Sequence, residues 1–121
     1  MAVPTGVEVG TQLPAQTFTI TRADLVRYAG ASGDFNVIHW NPRVATSVGL
    51  PDVIAHGMFT GSLISALIGT RLPGAGAIYL SQSFEFLGPV RIGDVIAASV
   101  EIAEFAPERR RARLACGCWV D

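Results

Sequence analysis

The chain contains no lysine, and few of its residues carry charge. Only 16% of the 121 residues are charged, the nine basic residues are all arginine, and the formal net charge is -1. We draw nothing mechanistic from the absence of lysine. The near-neutral balance, however, provides neither the basic footprint of a nucleic-acid-binding protein nor an acidic interaction tail.

The sequence also lacks a long hydrophobic run. The longest one, from Met58 to Leu72, is too short to span a membrane and is interrupted by small and polar residues. The first four residues, Met1 to Pro4, contain neither the charged nor the apolar region of a signal peptide. We therefore expect a soluble cytoplasmic protein with neither a membrane nor a nucleic acid as its partner.

Cysteine is scarce, since the chain contains only Cys116 and Cys118. Two residues that are two positions apart on a strand point to the same face, which is a poor geometry for a disulfide. The sequence also lacks the further cysteine and histidine partners of a zinc site. We predict neither a disulfide nor a bound metal.

Hydrophobic residues, in contrast, make up half of the chain, which predicts one compact domain over residues 1–121. Thr21 and Asp24 have the spacing of a weak capping box at a helix start, and Asn41-Pro42 is typical of another. From Gly57 onward the run to residue 72 is apolar or small on every side. This pattern predicts a long helix that is buried all round.

Three strands are predicted after this helix, because apolar and polar residues alternate over 77–87, 94–105 and 110–120. Short turns join them into an antiparallel meander with one buried face. A further extended segment, which includes Phe18 and Ile20, precedes the first helix. The sequence thus predicts an α+β fold in which an antiparallel sheet wraps around a long buried central helix.

The residues able to do chemistry are concentrated before and at the start of the long helix. Asp34 precedes His39 by five positions, a spacing that places the two on one face of neither a helix nor a strand. They can act together only across a bent loop, for which Gly33 and Asn36 supply the turn chemistry. Gly57 begins a helix whose free N–H groups can bind negative charge. These are the parts of an acid/base site with an oxyanion pocket.

Two segments carry a family resemblance: residues 32–39, SGDFNVIH, and residues 54–58, IAHGM. With them the sequence resembles the MaoC-type hydratases of the hot-dog fold, and especially the (R)-specific enoyl-CoA hydratases of polyhydroxyalkanoate and fatty-acid metabolism. The similarity extends over nearly the whole chain.

The resemblance implies a site and a reaction. Asp34 and His39 map onto the catalytic pair, the Gly57 amide onto the thioester-binding position, and Ser65 onto a serine beside the pair. Asn36 is expected to fix the loop next to them. The implied reaction is the reversible hydration of trans-2-enoyl-CoA to (R)-3-hydroxyacyl-CoA. It needs a coenzyme A thioester as substrate and no cofactor, and the implied assembly is a homodimer.

The sequence departs from the family pattern at two places. Val37 stands where the family usually has a proline, which adds one backbone N–H that needs a partner. Family members also usually continue with one more strand, whereas this sequence ends at Asp121. We therefore expect a longer natural protein, an incomplete sheet, or a sheet that is completed in another way.

Other functions and roles stay open at this point. A 3-hydroxyacyl-acyl-carrier-protein dehydratase subunit would use the same chemistry on another carrier, and a non-catalytic acyl-binding subunit would keep the fold alone. A thioesterase fits the motif less well. We interpret His56 as structural, bonding a loop at the helix start, and Tyr79 and Phe84 as core or tunnel wall. The arginines at 109–111 and 113 are interpreted as a solvated strand end.

Overall fold

A computed structural model describes residues 8–120. Its helices and strands are β1 (Gln16–Thr19), α1 (Arg22–Ser32), α2 (Pro42–Ser47), α3 (Gly57–Thr70), β2 (Val95–Ala106) and β3 (Arg111–Val120). Two short 3-10 helices cover Val37–His39 and Pro107–Arg109. The strands form one antiparallel sheet in the order β1-β2-β3, and α3 packs on it. The predicted mixture of helices with an antiparallel sheet is confirmed.

The central strand β2 contributes buried residues to the hydrophobic core. Its inward-facing residues are fully buried, as their alternation predicts: Ile96, Ala98, Val100 and Ile102. Ile64 and Leu67 of α3 pack against this face of the sheet. Burying such aliphatic side chains stabilises the fold by about 1.5–3 kcal/mol each.

The prediction that α3 is buried all round is wrong. Gly61, Ile64 and Leu67 are buried, whereas Met58 and Ser62 lie on the exposed side of the same helix. The physical reason is that the described sheet has three strands and covers one face of the helix. Small residues on the other face tolerate water as well as burial.

The predicted strand at 77–87 is also not formed. Within residues 8–120 no strand pairs with this segment, and its backbone is irregular. The alternation does place Phe84 against the core, while Ile78 and Leu80 are each 70% exposed. An alternating pattern decides which side chains face inward, but a strand also needs a neighbour to supply its ladder of hydrogen bonds.

A second hydrophobic cluster holds the helices around the loop before α3. It consists of Ile20, Leu25, Ala45, Val53, Ala55 and Ile96.

The predicted helix starts are confirmed. Thr21 Oγ1 accepts from the Asp24 N–H while the Thr21 N–H donates to the Asp24 carboxylate, and Asn41 Oδ1 accepts from the first N–H groups of α2. Each such cap is worth about 1 kcal/mol.

The two cysteines and the cluster of arginines lie on β3 and in the turn before it. Cys116 and Cys118 are both free thiols, and burial raises the pKa of Cys118 to about 11. The arginines at 109–111 and 113 are exposed, and Arg113 donates to Glu104 across 2.9 Å. No helix within residues 8–120 has the length and hydropathy needed to cross a membrane.

Candidate active site

The loop after α1 folds back on itself and brings Asp34 to His39. Gly33 ends α1 with a φ of 78°, a left-handed conformation that glycine adopts without strain. The Asn36 N–H then donates to Asp34 Oδ1 across 3.1 Å, and Asn36 Oδ1 accepts from the Ile38 N–H. The loop-fixing role predicted for Asn36 is thus visible in its contacts.

His39 is held in one orientation and one tautomer. Its ring is 9% exposed, and its Nδ1 lies 2.7 Å from the Ile54 carbonyl oxygen. Because a carbonyl oxygen only accepts, Nδ1 carries the proton and Nε2 keeps a free lone pair. The Ile54 N–H in turn donates to the Ile38 carbonyl, so the residue that accepts from the imidazole is itself bonded to the segment that carries His39.

The gap between the two functional groups has the width of one water molecule. His39 Nε2 lies 3.8 Å from Asp34 Oδ2, which is too long for a direct hydrogen bond. A single water oxygen can nevertheless lie within about 2.6–3.2 Å of both atoms. The carboxylate side chain is 51% exposed and faces the pocket, whereas the imidazole is buried behind it. The arrangement can hold one water and take its proton.

Gly57 begins α3 at the same pocket. Its N–H donates to no other group within residues 8–120, and the dipole of the 14-residue helix favours negative charge there. An added Cβ would lie 3.1 Å from the ring of Phe86, so the ring packs directly over the glycine.

The pocket has a volume of about 420 Å³. It is lined by Tyr28, Ser32, Asp34, His39, His56, Gly57, Met58 and Phe86.

His56 and Ser65 differ in how the structure places them. His56 Nε2 lies 3.0 Å from the Asp34 carbonyl oxygen, so the predicted bond to a loop is confirmed. Ser65 lies on the exposed side of α3, and in the described part of the chain it makes no hydrogen bond to Asp34 or Asn36. Eight helical residues after Gly57 it is displaced by about 12 Å and rotated by about 80°. Its role beside the pair stays a prediction.

The structure brings together one cluster that could approach a metal ion, namely Asp34, His39 and His56, whose ligand atoms lie within 4.8 Å of one another. Each imidazole donates one N–H to a backbone carbonyl, an arrangement that is compatible with metal binding by the other nitrogen. The two rings, however, stack nearly parallel, at 21°, whereas ligands of one ion direct their in-plane lone pairs to one point. The cluster fits acid/base chemistry better than metal binding, and the absence of a metal stays a prediction.

Four of the pocket residues had no role predicted from the sequence: Tyr28, Ser32, Met58 and Phe86. Tyr28 and Ser32 are four positions apart on α1, a spacing that places them on one helix face and could have indicated a shared surface. No sequence pattern indicated Phe86, because its position depends on how the irregular segment 77–87 crosses α3.

Comparison with known proteins agrees with this geometry. Residues 5–115 match the model of the MaoC like domain. The chain belongs to this family. It is 52% identical over 101 residues to a 3-hydroxybutyryl-CoA dehydratase of Methylorubrum extorquens, covering 84% of this chain and 64% of the relative. It is 43% identical over 102 residues to an (R)-specific enoyl-CoA hydratase of Rhodospirillum rubrum, covering 84% and 71%.

A solved structure supports the fold. The (R)-hydratase from A. caviae involved in PHA biosynthesis superposes with a TM-score of 0.90 at 34% identity, covering 96% of this chain and 87% of that one. The predicted hot-dog fold is thereby confirmed. The chain spans just under two thirds of the length of the M. extorquens relative.

Proposed function

We propose that this MaoC-like chain is an (R)-specific enoyl-CoA hydratase. It would add water reversibly across the double bond of a trans-2-enoyl-CoA to form the (R)-3-hydroxyacyl-CoA. The observation that carries the proposal is the 3.8 Å separation of His39 Nε2 and Asp34 Oδ2, a gap that fits one shared water. The names of the M. extorquens and R. rubrum relatives support the same class of reaction.

The proposed mechanism uses the pair as one unit. The shared water loses a proton to the pair while its oxygen bonds to C3 of the enoyl group, and the pair delivers a proton to C2. The free lone pair on His39 Nε2 makes this imidazole the main base. The two groups are close enough to share protons, so the acid and base roles belong to the pair rather than to either residue.

Charge that develops on the thioester oxygen during addition needs a donor. The Gly57 N–H at the start of α3, which has no partner within residues 8–120, would donate to this oxygen, and the helix dipole adds to the effect. No cofactor takes part in this scheme. We also propose that the protein is cytoplasmic and works as a homodimer.

Asp34→Asn tests the proposed reaction, since an amide cannot take a proton from the water. Loss of the enoyl-thioester absorbance of crotonyl-CoA measures the rate, and chiral analysis identifies the product. We expect rapid hydration to (R)-3-hydroxybutyryl-CoA by the wild type and a rate about 10²–10⁴-fold lower in the variant. Asp52→Asn is the matched control, because among the described residues exposed Asp52 accepts only from the adjacent Val53 N–H.

Other outcomes would select another function. Turnover of acyl-carrier-protein thioesters but not of coenzyme A thioesters would identify the dehydratase of the carrier protein. A folded wild type that binds acyl thioesters but hydrates none of them, whatever the chain length or carrier, would overturn the catalytic proposal. It would leave the non-catalytic acyl-binding subunit.

A further inference from the structure

The second histidine is built into the site although the proposed mechanism assigns it no step. The rings of His39 and His56 stack with centroids 3.7 Å apart and planes inclined by 21°. Tyr28 packs against His56 in a T-shaped arrangement, with ring centroids 4.9 Å apart and planes inclined by 61°. His56 is 2% exposed and is therefore enclosed between α1 and the catalytic imidazole.

The backbone assigns opposite tautomers to the two imidazoles. His56 Nε2 lies 3.0 Å from the carbonyl oxygen of Asp34, which can only accept, so Nε2 carries the proton. In His39 the proton is on Nδ1, which donates to Ile54. His56 Nδ1 is left as a buried lone pair with no hydrogen-bond partner within residues 8–120. His56 Nε2 is thus engaged by the Asp34 carbonyl, and Nδ1 is shielded from solvent, so neither nitrogen is exposed to exchange a proton with the pocket.

The two contacts of His56 act on the two members of the catalytic pair. Its N–H holds the peptide group of Asp34, the residue whose carboxylate faces the water position. Its ring supports one face of His39, whose Nε2 must stay 3.8 Å from that carboxylate. A displacement of about 1 Å in such a pair can reduce the rate about 10²-fold.

We propose that His56 is a positioning residue, which sets the distance between Asp34 and His39 by its hydrogen bond to the Asp34 carbonyl and its stack on His39. The inference rests on the proposed hydratase function for its kinetic consequence. Its structural part, the assignment of tautomers and of the hydrogen bond, does not depend on turnover.

Two substitutions separate the hydrogen bond from the ring. His56→Phe keeps a ring to stack on His39 but removes the donor, whereas His56→Gln removes the ring but carries an amide nitrogen near the position of Nε2. We expect kcat for crotonyl-CoA to fall about 10²-fold in His56→Phe, with KM changed less than about twofold. His56→Gln should recover part of this loss, because it can still donate to the Asp34 carbonyl, but not all of it, because it no longer supports the ring of His39. Full recovery would contradict the role of the stack.

The pH profile distinguishes positioning from proton transfer. Since His56 exchanges no proton with substrate, His56→Phe should lower the plateau of kcat and keep the number of ionisations in the profile. Loss of an ionisation would make His56 an acid or base and overturn the proposal. A wild-type kcat in His56→Phe, or an equal loss in both variants, would contradict the role of the hydrogen bond.

NMR of the resting protein tests the arrangement without any reaction. Long-range proton–nitrogen correlations should show His56 protonated at Nε2 and His39 protonated at Nδ1. A His56 protonated at Nδ1 alone could not donate to the Asp34 carbonyl, and this result would overturn the proposal. If the wild type hydrates no thioester, the proposed function fails, while the same spectra still decide whether His56 holds the Asp34 peptide.

Discussion

At the scale of single residues, the site depends on backbone groups as much as on side chains. The Ile54 carbonyl selects the tautomer of His39, and the Asp34 carbonyl receives the His56 N–H. Both carbonyls belong to irregular segments, where peptide groups are free to bond side chains. The residues of the proposed catalytic pair are thus held by backbone groups and by a neighbouring side chain.

The Gly57 N–H can be tested by comparing two substitutions at the same position. Gly57→Ala and Gly57→Pro both add a Cβ against the ring of Phe86, but only proline removes the N–H. Proline is well tolerated in the first turn of a helix, and the preceding His56 has the extended backbone that proline requires. We expect kcat of Gly57→Pro to be about 10²–10³-fold below that of Gly57→Ala. Equal rates would show that another group stabilises the oxyanion.

At the scale of elements, α3 depends on close contact with a segment that forms no strand. An ideal Cβ on Gly61 would lie 2.8 Å from the ring of Phe84, which itself packs against the core of α3 and β2. The helix therefore uses glycine to let the segment 77–87 approach. The second close contact of this kind, between Gly57 and Phe86, lies at the pocket, which both residues line.

Gly61→Ala should destabilise the protein, although alanine is the better helix former. We expect the overlap with Phe84 to outweigh the propensity gain and to lower the free energy of unfolding by about 1–3 kcal/mol. Gly69→Ala is the control on the same helix, since its Cβ would meet nothing within 4 Å. It should raise stability by about 0.5–1 kcal/mol. Urea denaturation measures both values, and equal stabilisation would contradict the close contact.

At the scale of the whole molecule, apolar surface is concentrated on the segment that lacks a strand partner. Leu87 is 88% exposed, Ile78 and Leu80 are each 70% exposed, and Trp119 at the end of β3 is 48% exposed. An apolar group of this kind on a protein surface indicates an interaction site. It is consistent with the proposed homodimer.

Leu80→Arg tests this assembly. We expect the wild type to elute with twice the mass of one chain in size-exclusion chromatography with light scattering, and the variant to shift toward the monomer because a buried guanidinium would lack a partner. Val48→Arg is the control, since Val48 is an aliphatic residue of similar exposure, 63%, that caps the end of α2 and is not part of the segment. A monomeric wild type would contradict the proposal.

Local chemistry made much of this protein predictable from its sequence. The capping box at Thr21, the start of α2 at Asn41-Pro42 and the alternation of β2 depend on residues close in the chain, and the structure contains all three. The juxtaposition of Asp34 and His39 follows from turn residues and is also present. The family resemblance added the hot-dog fold, which is confirmed, and the roles of Gly57 and Ser65, which stay predictions.

Contacts between distant segments were decided only by the tertiary structure. Whether 77–87 forms a strand and whether α3 is covered on both sides depend on neighbours that no local pattern specifies. The stack of His39 on His56 joins residues 17 positions apart, and it arises because the backbone at Ile54 returns to the loop. The sequence alone determined which groups could do the chemistry. The packing of remote segments determined how those groups are held.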